Sequence, residues 1–146
     1  MISITQFTTE HIPAAIALWG TTDHIGLSSA DEPAALTRYL ERNPGFSFVA
    51  LDSGRVIGAA LCGHDGRRGF IHHLAVADSH RKSGLGRQLL NRCLIKLQEA
   101  SIFKCHAFVF QDNPYTELFW EPVGWQRREE LLIFSKFIEE HIERTE

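Results

Sequence analysis

The run His80-Arg81-Lys82-Ser83-Gly84-Leu85-Gly86-Arg87 sets two glycines and three cations at the head of an amphipathic stretch. Glycines let a backbone turn tightly and approach a ligand with no Cβ in the way. The free N–H groups of a helix's first turn, at its positive dipole end, attract anions. Arg81, Lys82 and Arg87 concentrate positive charge there in a chain whose formal net charge is −3. A pyrophosphate suits that combination. Taken alone, the same run also reads as a glycine-rich connection with solvated basic residues. The GxxxxGK[ST] loop of nucleoside triphosphate sites is absent, and no GxGxxG of a dinucleotide site stands near the N-terminus.

A few residues upstream, His72 and His73 lie side by side in an apolar segment, 70–76. Imidazole titrates closest to neutral pH, so it is the natural candidate to take or hand over a proton. Strand alternation places the two rings on opposite faces, so only one is expected to face a given cleft. Rings on opposite faces cannot share one ion, and no further ligand stands at metal spacing, so no metal site is expected. Cys62, Cys93 and Cys105 form neither a paired framework nor a CxxC site and read as small buried apolar residues.

The elements that must position these groups follow from periodicity. Residues 2–7 alternate as a half-buried strand, and Thr9 with Glu10 opens a helix through Trp19. Ser29-Ala30-Asp31-Glu32-Pro33 starts a second helix that stops near Asn43-Pro44-Gly45. Strands are expected at 46–51 and 55–62, joined by a tight turn at Asp52-Ser53-Gly54. A polar turn at 63–69 leads to the strand at 70–76. Leu89, Leu90, Cys93, Leu94 and Leu97 share one face of a helix over 85–99. A strand at 104–110, a short helix at 115–120 and a last strand at 131–137 complete the chain. Strands feeding helices, with one clear hairpin, define an α/β or α+β class with a mixed sheet.

At 146 residues the chain is long enough for a single domain, 1–146, with a core that needs no disulfide staples. No window approaches the ~20 apolar residues of a membrane span. The N-terminal Met1-Ile2-Ser3-Ile4 lacks the basic and apolar regions of a secretory signal, so a cytoplasmic protein is expected. The slight negative charge gives no general reason to bind nucleic acid or an acidic membrane.

Arg81-x-x-Gly84-x-Gly86, following Leu74-Ala75-Val76, resembles the coenzyme A signature of the GNAT superfamily of N-acetyltransferases. Downstream, Asn113 and then Phe119-Trp120-Glu121-Pro122-Val123-Gly124-Trp125 resemble that family's Asn, aromatic pair, Glu and Gly-aromatic step. The stretch 63–69 is similar to that of small bacterial members. The resemblance implies a largely antiparallel central sheet flanked by helices, with a splayed strand pair that receives pantetheine. Leu74, Ala75 and Val76 would then contact pantetheine through their main chain. Arg81, Lys82, Ser83, Gly84, Leu85, Gly86 and Arg87 would hold the pyrophosphate, and Asn113 and Trp120 would complete the cofactor site.

The implied reaction is acetyl transfer from acetyl-CoA, without a metal, to a primary amine of a small molecule or peptide. A lysine-type amine is neutral only about once in 2,500 molecules at pH 7, so a base or water relay is useful. By family register His72 is favoured for that role, with His73 second. The family's thiolate-protonating tyrosine is replaced by Trp120, which leaves water or Tyr115 as proton source. That replacement also leaves open a coenzyme A-binding sensor or interaction module with weak or no catalysis. The acceptor would be shaped by residues 19–43 and the 63–69 turn, where Asp23, His24, Asp31 and Glu32 either attract a cationic amine or serve as helix-start and surface groups. Either a monomer or a homodimer fits, the apolar strand at 131–134 offering an edge.

Overall fold

The computed structural model describes residues 1–139. Five strands, β1 (Ile2–Gln6), β2 (Phe48–Asp52), β3 (Arg55–His64), β4 (Gly69–Val76) and β5 (Cys105–Ala107), form one sheet in chain order. Pairing is antiparallel from β1 to β4, and only β4–β5 is parallel. Helices α1 (Ile12–Gly20) and α2 (Pro33–Arg42) cover one face, and α3 (Leu85–Glu99) covers the other. This is the mixed, largely antiparallel sheet flanked by helices that the sequence implies.

Each face follows from alternation. Val49, Ala59 and Leu61 pack with Trp19 of α1 and Leu36 of α2, whereas Phe48, Ala60 and Cys62 pack with Leu89, Leu90 and Cys93 of α3. The β2–β3 turn places Ser53 at φ 52° and Gly54 at φ 86°, two consecutive left-handed residues whose twist matches that of the strands they join. Cys62 and Cys93 are buried apolar groups as expected, and Cys105 is half-buried. Among the described residues no helix is long and apolar enough to cross a membrane.

Three expectations are corrected. The first helix opens with a 3₁₀ turn at Thr9–His11 before α1 begins. The strand expected at 104–110 is hydrogen-bonded only over Cys105–Ala107, because β4 and β5 part beyond that point. Residues 131–137 form no strand: Leu131, Leu132, Ile133 and Phe134 are 56%, 82%, 68% and 90% exposed. Four consecutive apolar residues select no single face, and the described chain offers this segment no partner strand with which to form a ladder.

Where β2 has not yet begun, a side chain substitutes for its backbone. Ser47, 1% exposed, accepts from Cys62 N at 2.9 Å and donates to Cys62 O at 3.2 Å. Replacing it with alanine leaves a buried N–H of β3 unpaired, so Ser47→Ala should cost about 1–3 kcal/mol. Urea unfolding checks this, with a lower midpoint and an unchanged slope expected.

Candidate active site

Beyond Ile71 and Ala107 the last two strands diverge and leave a cleft of about 220 Å³. Residues 71–74 and 107–110 form its two walls, with residues 24–26, Asn113 and Trp120 at its margins. The parted pair therefore has the splay the resemblance implies. A wider depression near the C-terminal end, lined by Glu117, Glu121 and Glu129 among others, contains none of the expected site residues.

Both histidines line this cleft, which corrects the expectation of opposite faces. The cause is a β-bulge. Ala59 pairs with Ala75 and Leu61 with His72, so Ala60 alone opposes His73 and Leu74. The extra residue resets the alternation, and His73 takes φ 55°, left-handed for a non-glycine. His72 then lies 6.0 Å from the Tyr39 ring of α2, and His73 lies 5.1 Å from the Trp19 ring of α1. Both rings sit on the α1–α2 side.

Their surroundings differ. His72 sits among the rings of Tyr39, Phe70 and Phe108, with Phe70 stacked at 6.4 Å and 6°. Burial lowers its pKa below the usual imidazole range, the neighbouring His73 lowers it further, and Asp31 opposes both. His73 Nε2 lies 2.9 Å from Asp31 Oδ1, and Asp31 Oδ2 accepts from Ser28 N at 3.0 Å. Burial works against the Asp31 carboxylate, yet the hydrogen bond and charge of His73 and the Ser28 N–H outweigh it and hold the pKa below the usual carboxylate range. Asp31 is 7% exposed, so this helix-start group is buried behind His73 rather than set on the surface. Its signal in the sequence is the Ser28-x-x-Asp31 box, in which the carboxylate also satisfies the Ser28 N–H.

At the other end of β4, the glycine run starts α3. Gly84 is the N-cap at φ 82°, and a Cβ there would meet nothing closer than Gln88 Nε2 at 3.9 Å. The first helical bond runs from Gln88 N to Gly84 O, so the N–H groups of Leu85, Gly86 and Arg87 have no partner within the helix. Lys82 and Arg87 are exposed beside them, as is Ser83, whose hydroxyl donates to His80 O. Leu85 anchors the turn in the core, and Gly86 lies against Phe119, 3.4 Å from where a Cβ would stand. Arg81 is tied down instead: it donates to Val76 O at 3.1 Å and the Tyr115 hydroxyl at 2.8 Å and pairs with Asp78 at 2.9 Å.

Of the three expected pantetheine contacts, Leu74 lines the cleft. Ala77 N donates to Ile57 O, so alternation turns the peptide groups of Ala75 toward β3 and those of Leu74 and Val76 toward the open edge. Asn113 and Trp120 both reach the cleft. Asn113 Oδ1 accepts from Tyr115 N at 2.8 Å, and Trp120 packs edge-on to Phe119 and Trp125. Tyr115 is bonded to Arg81 and is not part of the cleft lining.

The parallel pair thus splits beside two histidines, on the strand that leads to a glycine-capped helix. The acetyltransferase (GNAT) family model matches residues 14–125, and the chain belongs to that family of acetyltransferases. Acetyltransferase SG1711 of Sodalis glossinidius is 26% identical over 135 residues, spanning 92% of this chain and 94% of that protein. Ard1 from Thermoplasma volcanium has the same fold, with a TM-score of 0.74 at 19% identity, covering 84% of this chain and 81% of that one. A protein from Clostridium acetobutylicum described as a predicted acetyltransferase, solved with acetyl-CoA, follows at 0.69 and 17%, covering 92% and 96%.

The lowered pKa of His72 makes the site acid-sensitive. The unfolded chain binds a proton on this ring at higher pH than the native one, so stability is intact above about pH 6.5 and falls as pH drops toward the native value. Replacing His72 with glutamine should flatten this part of the stability profile between roughly pH 7 and pH 5. Urea midpoints across that range check it, and an unaltered slope would show the ring is not held neutral by burial.

Proposed function

We propose that the protein transfers the acetyl group of acetyl-CoA directly to a primary amine of a small molecule or peptide. The observation that carries this reading is the parting of β4 and β5 beside His72 and His73, on the strand that runs on to the Gly84 helix cap. The residues fit the cosubstrate. N–H groups at Leu85, Gly86 and Arg87 that lack a helical partner, with the cations Lys82 and Arg87, suit a pyrophosphate, and the peptide groups of Leu74 and the N–H of Val76 along the open edge suit the amides of pantetheine. Arg81 contributes by fixing the end of β4 to Tyr115, a positioning role. Acetyl-CoA supplies the activated acyl carbon. The chain orients it, shields the cleft with Trp120 and Phe108, and presents a histidine to accept the amine's proton.

The acceptor side is aromatic. Phe70, His72 and Phe108 lie within 6.1–6.4 Å of one another, and no carboxylate lines the cleft among the described residues. An amine carrying an apolar or aromatic group fits these walls better than a polycation. A second reading, a coenzyme A-binding module without catalysis, draws on Trp120 standing in the cleft while Tyr115 is occupied by Arg81. Thiol release from acetyl-CoA in the presence of aromatic, aliphatic and polycationic amines separates the two.

Coenzyme A should stabilise the protein by about 2.7 kcal/mol at a hundredfold excess over its dissociation constant. Thermal melts read this directly, and no shift at millimolar ligand would contradict the assignment. In Gly84→Val the side chain is forced onto a left-handed residue at the phosphate cradle, so affinity should collapse while the rest of the fold persists. Calorimetric titration decides it. Full affinity in that variant would place the pyrophosphate elsewhere.

A further inference from the structure

We infer that His73, oriented by the buried Asp31 carboxylate, is the base that takes the acceptor's proton, in place of the His72 favoured by register. The inference rests on the acetyl-transfer reading above and names the residue that carries its proton.

Three observations converge. First, His73 is the one non-glycine residue at positive φ inside a strand of the described chain. Such a conformation costs on the order of 1–3 kcal/mol and persists only where its surroundings hold it. Here the Trp19 ring at 5.1 Å and the Asp31 bond hold it, and the strained residue faces the cleft. Second, the bond fixes the tautomer. An ionised carboxylate only accepts, so Nε2 carries the proton and Nδ1 of the neutral ring keeps a lone pair. Asp31 is itself fixed through Ser28 N, so the ring is held at both ends of the bond. Third, the imidazolium formed on accepting a proton is paired at 2.9 Å by Asp31, whereas an imidazolium at His72 would stand among the rings of Tyr39, Phe70 and Phe108. The titratable groups facing His73 are Asp31, from the turn before α2, and His72, from its own strand. His24 at the cleft margin is directed to Asp112, 4.0 Å away.

In the step, the amine nitrogen bonds to the acyl carbon as its proton passes to Nδ1 of His73. The C–S bond then breaks, coenzyme A leaves as the thiolate and takes a proton from water, and His73 returns its proton to solvent. Asp31 touches no reacting atom and is a positioning residue.

The test compares wild type, Asp31→Asn, Asp31→Glu, His73→Gln and His72→Gln in acetyl-CoA thiol release with the best acceptor of the amine panel, from about pH 5.5 to 9. Coenzyme A-induced thermal shifts establish that each variant is folded and loaded. His73→Gln should lower kcat/KM by about 10²–10⁴-fold, with coenzyme A affinity retained. Asp31→Asn should lower kcat while KM and coenzyme A affinity stay near wild type, since the ring loses the acceptor that fixes its tautomer, and Asp31→Glu should restore part of the rate. A carboxylate that merely pins the loop would move KM or coenzyme A affinity as well. His72→Gln should keep the profile's shape. The assignment is overturned if Asp31→Asn retains the wild-type kcat, or if the pH-dependent limb vanishes with His72 and survives without His73. If Asp31→Asn fails to fold, His73→Gln against His72→Gln decides alone. A wild type that binds coenzyme A but acetylates no amine overturns the transfer reading itself, and the dyad with it.

Discussion

Everything at this site depends on β4 and β5 ceasing to pair after three residues. Backbone N–H and C=O groups are obligatory hydrogen-bonding groups, and leaving them unmatched beside apolar walls is costly. A sheet can tolerate an opened seam only if the two strands are held apart by packing on both sides. Leu89, Leu90, Cys93 and Leu97 press β3 and β4 from the α3 face, while Trp19 and Leu36 press from the other, so the seam opens on β5, which has only three paired residues. The opened edge is then a template for an extended, amide-bearing ligand, much as a free sheet edge is a template for a peptide.

The bulge in β4 is the second device, and it serves the first. One extra residue in the strand turns two successive histidines to the same side and aims the peptide groups of Leu74 into the seam. Without it, strict alternation would bury one imidazole against α3. The strain at His73 is met by a tertiary contact, Asp31, that reaches it across 42 positions of sequence. The same carboxylate closes its own turn at Ser28, so the loop between α1 and α2 is fastened to the sheet at the reacting centre. In the proposed mechanism one buried group thereby couples loop geometry to proton chemistry.

Periodicity made the frame readable. Residues 85–99 appear as a helix exactly where the Leu89, Leu90, Cys93 and Leu97 stripe places one, and the Asp52-Ser53-Gly54 turn is the two-residue hairpin its chemistry requires. The glycine run was legible because φ 82° at Gly84 is a local demand that only glycine meets cheaply. The Asp31–His73 pair was not legible, since its partners are distant in sequence and the bulge that brings them together violates alternation. The partners of Arg81 were hidden for a similar reason: Val76 O, Asp78 and the distant Tyr115 hold its guanidinium, and none of these contacts follows from the glycine run. Residues 131–137 misled because apolar composition alone marks a strand, whereas a strand exists only with a partner.

The central claim is that coenzyme A occupies the seam between β4 and β5 and crowns the first turn of α3. Amide hydrogen exchange resolved by residue, with and without coenzyme A, tests it at the atoms concerned. The amides of Leu74, Val76, Leu85, Gly86 and Arg87 should exchange more slowly on binding, while that of Ala77, already bonded to Ile57, should change little. Protection confined to the depression near Glu117 and Glu129, or none along the seam, would contradict the account.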